Sequence, residues 1–129
     1  GHINTSVWGF LQTSAAMKRK VAGVVIDGAV RDSREIRESG LPVFCRGVSP
    51  AGPHKGWKDD INISISCGGV AINPGDYIKG DDDGVVVIPK ENISNIIKLS
   101  NDRLEKEKIW FKKLEQGLNS FEIVGLSDD

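Results

Sequence analysis

Residues 23–35 read GVVIDGAVRDSRE, and the way this stretch is parsed decides the fold. With the two residues before it, it opens on the apolar run VAGVVI (residues 21–26). That run has the length of one strand and no polar alternation, which fits a strand buried on both faces of an α/β sheet. Asp27-Gly28-Ala29 reads as a turn leading to Val30-Arg31-Asp32. Ser33 is placed to cap a short helix that contains Ile36, and Gly40 to stop it. Arg31, Asp32 and Glu35 therefore fall just past the C-terminal end of an interior strand, the usual ligand-binding edge of such a sheet. Arg31 can grip a carboxylate with two parallel hydrogen bonds. Asp32 and Glu35, one turn apart, can face one oxygen-seeking cation directly or through its waters. The plainer alternative is an exposed, salt-bridged helix start, because R-D-x-x-E also arises by chance.

Working outward, residues 11–20 (LQTSAAMKRK) are helix formers ending in a basic cluster that suits a helix C-terminus. Pro42-Val43-Phe44-Cys45 begins another strand, and residues 49–60, with two prolines and two glycines, read as a loop. Ile61, Ile63 and Ile65 alternate with polar residues, the period of a strand with one buried face. A short strand and turn follow over Gly68–Tyr77, then the turn Gly80–Gly84 and the apolar Val85–Ile88. From Glu91 the pattern becomes helical: Ile93, Ile97, Leu104, Phe111, Leu114 and Leu118 share one face, and Gly117 is the expected stop, so a long helix is predicted over 91–117. Nothing divides the 129 residues, which read as a single domain.

Composition narrows the function. Seventeen basic residues against 18 acidic ones leave a net charge of −1, which argues against a nucleic-acid or anionic-membrane binder working through a basic field. No apolar run approaches the ~20 residues of a membrane span, and the N-terminus lacks the blocks of a signal peptide. Cys45 and Cys67 are too few for a disulfide framework and read as reduced thiols of a cytoplasmic protein. No phosphate loop, dinucleotide fingerprint or nucleophile elbow is present. His2 and His54 have no paired-ligand spacing, so a zinc site is not expected. The acidic turn at Asp81–Asp83 lacks calcium-loop ligands, with Lys79 and Lys90 at the terminal positions. Lys18, Lys20, Lys55, Lys58 and Lys79 lie in polar surroundings, which sets aside a Schiff-base lysine. His54 and Trp57 sit in the long loop, read as surface with a lid as the alternative.

Several stretches together carry a resemblance. Trp8-Gly9 is followed 22 positions later by Arg31-Asp32 and then Glu35, beside Val24–Asp32, Pro42-Val43-Phe44, Gly68-Gly69-Val70, Pro74-Gly75-Asp76 and Asp81–Pro89. Over most of the chain up to Pro89 the sequence resembles the 4-hydroxy-4-methyl-2-oxoglutarate aldolase family. Those are divalent-metal-dependent (class II) pyruvate aldolases related to the regulator of ribonuclease E activity. The resemblance implies an α/β fold, a layered β/β/α swivelling-type domain. It also implies that the chain lacks the family's N-terminal part, as a fragment, a proteolysed remnant or one piece of a split protein whose upstream polypeptide segment completes the domain. A homotrimer or hexamer is implied as well.

The same resemblance implies a site. Asp32 would bind Mg2+ or Mn2+, with Glu35 behind it orienting a water of the metal or Arg31. Arg31 would contact the substrate's carboxylate and 2-oxo oxygens. The backbone N–H groups of Gly9, Phe10, Leu11 and Gln12 would hold the pyruvate carboxylate at a helix N-terminus. Glu107, out of pattern on the apolar face of the last helix, either rims that face or reaches a neighbouring subunit's metal site. The implied reaction is retro-aldol cleavage of a 4-hydroxy-2-oxo acid to pyruvate, with oxaloacetate decarboxylation through the same enolate. One departure is Phe10, where an acidic residue commonly follows the glycine. It favours the alternative, a non-catalytic protein-binding regulator. Methyl transfer to a quinone finds no glycine-rich methyl-donor site.

Overall fold

The computed structural model describes residues 1–54, 56 and 60–125. The contacts group into two compact units, Gly1–Pro89 and Lys90–Asp129, where the sequence reads as one domain.

The first unit is built on a βαβαβ run: β1 His2–Trp8, α1 Phe10–Lys18, β2 Val24–Val30, α2 Ser33–Ser39 and β3 Val43–Val48. The three strands are parallel in the order β1-β2-β3, so the chain makes two crossovers in sequence. Right-handed crossovers bring both helices to one face of the sheet. Two hairpins follow, β4 Ile65–Cys67 with β5 Val70–Ile72, and β6 Tyr77–Asp81 with β7 Gly84–Ile88. The first turns on Gly68 and Gly69, both at positive φ (61° and 84°), the conformation a two-residue hairpin turn requires. Asp27 and Phe44 belong to the face these hairpins meet: the Gly68 N–H donates to Asp27 Oδ2 at 3.0 Å, and a Cβ on Gly80 would lie 2.5 Å from the Phe44 ring.

The structure corrects the reading of residues 21–30. Asp27-Gly28-Ala29 is not a turn but strand, since β2 runs straight through it to Val30. The burial is also shifted. Val21 is 40% exposed and Val25 37%, whereas Ala29 and Val30 are 0% and 3% exposed. The reason lies in the pairing. β3 flanks β2 from Val24 onward, but β1 pairs only with Gly28, Ala29 and Val30, so two-sided cover exists only at the C-terminal end.

Three further expectations are adjusted. β1 was not anticipated. Of the alternating isoleucines only Ile65 joins a strand, while Ile61 and Ile63 lie outside one. Ser33 is the first residue of α2 and not its cap; Asp32 precedes the helix in a left-handed conformation (φ 55°, ψ 38°) and makes no capping bond to it. Gly40 does end α2, at φ 78°.

The second unit opens with a 3-10 turn, Lys90–Asn92, followed by α3 Ile93–Glu115 and α4 Ser120–Val124. Gly117 (φ 92°) terminates α3 through Gly117 N–H to Leu114 O and Leu118 N–H to Lys113 O, which satisfies two otherwise orphaned carbonyls. α4 carries a reciprocal cap between Asn119 and Glu122. No residue of α3 is buried: Ile97, Leu104 and Phe111 of its apolar stripe are all more than half exposed. No helix among the described residues is long and apolar enough to cross a membrane.

Candidate functional site

The C-terminal ends of β1 and β2 lie side by side, Trp8 opposite Val30, and the Arg31 N–H donates to Trp8 O at 2.9 Å. Each strand then turns into its helix, so Gly9-Phe10 and Arg31-Asp32 meet. The Phe10 N–H donates to Asp32 Oδ2 at 3.0 Å across 22 residues of sequence. Arg31 Nε stands 3.6 Å from the same oxygen. Both charged side chains are about two fifths exposed (42% and 41%), so their attraction adds little stability.

The geometry at Asp32 is costly for a residue with a Cβ. A left-handed conformation in a non-glycine residue costs about 1–2 kcal/mol, although aspartate tolerates it better than most. A charge-assisted bond from the Phe10 amide, on the order of 1.5–3 kcal/mol, is enough to hold it. Gly9 leaves the space: a Cβ there would come 2.8 Å from Asp32 Oδ2 and 3.1 Å from Arg31 Nε. On the other side, a Cβ on Gly52 would come 3.0 Å from Arg31 Nη1. Gly52 is delivered by the segment after β3, which folds back onto β1 through Ser6 N–H and Ser6 Oγ, both donating to Ala51 O at 2.8 Å, and through Ser49 Oγ donating to Asn4 O.

A cavity of about 140 Å³ opens beside Arg31, lined by Val7, Trp8, Leu11, Gln12, Gly52 and Pro53 among others. At ~30 Å³ per water it holds the equivalent of four or five waters, the size range of a three-carbon oxo acid. The amides of Leu11 and Gln12 precede the first internal bond of α1, Thr13 N–H to Gly9 O. They are therefore unpaired donors at a helix N-terminus. A larger cleft of about 380 Å³ between the sheet and the hairpins is lined chiefly by Val25, Phe44, Val70, Ile72, Val85 and Val87. Its charged members, Asp27 and Arg46, are bonded to each other, and it offers no convergent polar groups.

Of the residues singled out from sequence, Gly9, Phe10, Leu11, Gln12, Arg31 and Asp32 come together. Glu35 lies in the first turn of α2, exposed, with no hydrogen bond or ion pair to another described residue. Glu107 belongs to the second unit, where Arg103 Nε donates to it at 2.8 Å; the Arg103 guanidinium in turn stacks 4.5 Å above the Trp110 ring. His54 is exposed outside regular structure, and Lys55, Trp57 and Lys58 lie outside the described residues. The sequence reading missed Thr13 and Gly52. Thr13 stands four residues after Gly9, a spacing that allows back-bonding within the first helical turns; nothing in the sequence marks Gly52.

The donors suit a hard divalent cation. They are the carboxylate oxygens of Asp32, one of them oriented by the Phe10 amide. Among the described residues no three His, Cys, Asp or Glu side chains gather at one point.

The chain is similar to known proteins. A Methanocaldococcus jannaschii protein, MJ0644, is 37% identical over 98% of the chain, which covers 61% of that protein. A Halalkalibacterium halodurans protein provisionally named 4-hydroxy-4-methyl-2-oxoglutarate aldolase is 51% identical over 60% of the chain and 37% of its own length. The crystal structure of Streptomyces coelicolor RraAS2, described as an unusual member of the RNase ES inhibitor RraA family, superposes with a TM-score of 0.73 at 32% identity, over 82% of this chain and 55% of that one. The chain thus spans less than two thirds of each. The model of the RraA-like family, aldolase/RraA, matches residues 1–87, the stretch that contains the whole β1–α1 and β2–α2 junction, and the chain belongs to that family.

Proposed function

We propose that the protein is a class II, divalent-metal-dependent lyase that releases pyruvate from 4-hydroxy-2-oxo acids of the 4-hydroxy-4-methyl-2-oxoglutarate type and decarboxylates oxaloacetate. The observation that carries this reading is the meeting of Asp32 with Arg31 and the Phe10 amide at the N-terminus of α1, where Arg31, Leu11 and Gln12 also line a small cavity. Both reactions leave pyruvate as its enolate, so the task is to stabilise negative charge growing on the 2-oxo oxygen. Mg2+ or Mn2+, when bound through Asp32, supplies Lewis acidity for that purpose. Arg31 offers its fork of N–H donors to the same oxygen and to the carboxylate. The free amides of Leu11 and Gln12 receive the carboxylate at the positive end of α1. Phe10 gives its N–H to Asp32 and so fixes one carboxylate oxygen while leaving the other available. Glu35, unpaired and one turn beyond, can take a proton or orient a water.

The relative named as an aldolase supports the lyase reading. The exposed α3 supports assembly into a homotrimer or hexamer, in which Glu107 would approach a neighbour's site. The composition and the two free thiols fit a cytoplasmic setting. A lactate-dehydrogenase-coupled assay on oxaloacetate and on 4-hydroxy-4-methyl-2-oxoglutarate tests the activity. Pyruvate release should require Mg2+ or Mn2+ and stop on chelation.

Phe10, 39% exposed where the family resemblance places an acid, favours a second reading: a non-catalytic regulator that binds a ribonuclease. Absence of pyruvate with every divalent ion, alongside a stable complex with a ribonuclease, would establish it in place of the first.

A further inference from the structure

We infer that Thr13 is a positioning residue for the site, acting through Trp8 and Gly9 on the contact between α1 and Asp32. This rests on the lyase reading for its kinetic consequence but not for its structural one. The Thr13 side chain is fully buried (0% exposed), the largest side chain so enclosed among the described residues. Its hydroxyl accepts the Trp8 indole N–H at 2.8 Å and donates to Gly9 O at 3.1 Å. Back-bonding of a threonine to the carbonyl four residues earlier is common in helices and by itself local. Here the hydroxyl also receives a donor from outside the helix, and the two residues it holds are the ones that shape the site.

Trp8 passes its own carbonyl to the Arg31 N–H, which sets the start of the Arg31-Asp32 segment. Gly9 presents the bare backbone against which Arg31 Nε and Asp32 Oδ2 rest, and the next amide, Phe10 N–H, holds that oxygen. α1 has no side-chain cap of its own. The Thr13 hydroxyl satisfies none of the helix's free amides; it fixes the residue before the helix by donating to its carbonyl, from inside the first turns. The amides that face Asp32 and the cavity are thereby aimed by a group that touches neither.

The experiment compares Thr13→Val, which keeps the branched shape and removes both bonds, with Thr13→Ser, which keeps the hydroxyl. On pyruvate release, Thr13→Val should lower kcat about tenfold, while Thr13→Ser returns it to within about twofold of the parent. KM for the oxo acid should rise in Thr13→Val as well, since the carboxylate-binding amides lose their aim. Hydrogen exchange followed by NMR supplies a readout that needs no catalysis. The Trp8 indole N–H and the Phe10 amide should exchange at least about tenfold faster in Thr13→Val, with amides of β2 and β3 unchanged.

A folded Thr13→Val with parental exchange at Phe10 overturns the inference, and so does rescue by valine but not by serine. Should valine fail to fold, Thr13→Ser with slow exchange and Thr13→Ala with fast exchange at Phe10 uphold it; equal exchange in the two overturns it. If the parent releases no pyruvate while the exchange pattern holds, the lyase reading falls and the positioning role stands.

Discussion

At the scale of single residues, Gly9 and Asp32 depend on each other. Gly9→Ala should remain folded, because its φ of −155° is open to any residue, yet its methyl group would displace the Asp32 carboxylate. The expected outcome is a near-parental melting temperature with pyruvate release reduced at least about tenfold, measured by the coupled assay. Arg31→Ala removes the only guanidinium against the cavity among the described residues and should lower kcat about 100-fold or more, the scale of losing one donor to a developing oxyanion. An active Arg31→Ala would sink the assignment. Asp27 gives a pH-dependent prediction away from the site. The Gly68 N–H bond, with Arg46 acting in the same direction, holds its carboxyl below the ordinary carboxylate value against the opposing effect of burial. Because folding lowers this pKa, the stabilisation is complete above about pH 4 and vanishes as the pH falls through the lower folded value. Thermal melts of the parent should drop faster than those of Asp27→Asn below about pH 4.

At the scale of elements, helix ends and strand ends were legible to different degrees. The stops at Gly40 and Gly117 could be read from sequence because positive φ is a local demand that glycine alone meets without strain. Gly40→Ala has open space for its methyl group and should lose stability by about 1 kcal/mol through conformation alone, seen in denaturant unfolding with pyruvate release intact. β2 was misplaced because Asp27-Gly28 resembles a turn, while its strand character comes from pairing with β1 and β3, which no local pattern records. β1 escaped notice for a related reason. Its alternation is inverted: Ile3 and Val7 are about half exposed while Ser6 is 1% exposed and satisfied by Ala51 O. The junction residues Arg31, Asp32 and Gly9 were legible from their motif, but the partner that orients Asp32, the Phe10 amide, is a backbone group and leaves no mark in composition.

At the scale of the whole molecule, the accessible surface is 10384 Å². Two separately compact units of these lengths would expose about 8,000 Å² in all. The difference, roughly 2,400 Å², is surface that closed units of these lengths would cover. Exposed Ile97, Leu104, Ile109 and Phe111 on α3 contribute to it. The proposed trimer or hexamer predicts that the 129-residue chain runs in light-scattering chromatography at three or six times its 14.0 kDa mass, and a monomer stable at micromolar concentration would contradict that proposal.

The pairing of β1 with β2 advances unevenly, from His2 opposite Gly28 to Ser6 opposite Ala29, before it settles with Trp8 at Val30. Slack of this kind insulates whatever lies downstream. A residue added or removed before Asn4 can be absorbed there, and the Trp8 carbonyl still meets Arg31. A change of length at the start of β1 is thus buffered from the junction where Trp8 meets Arg31.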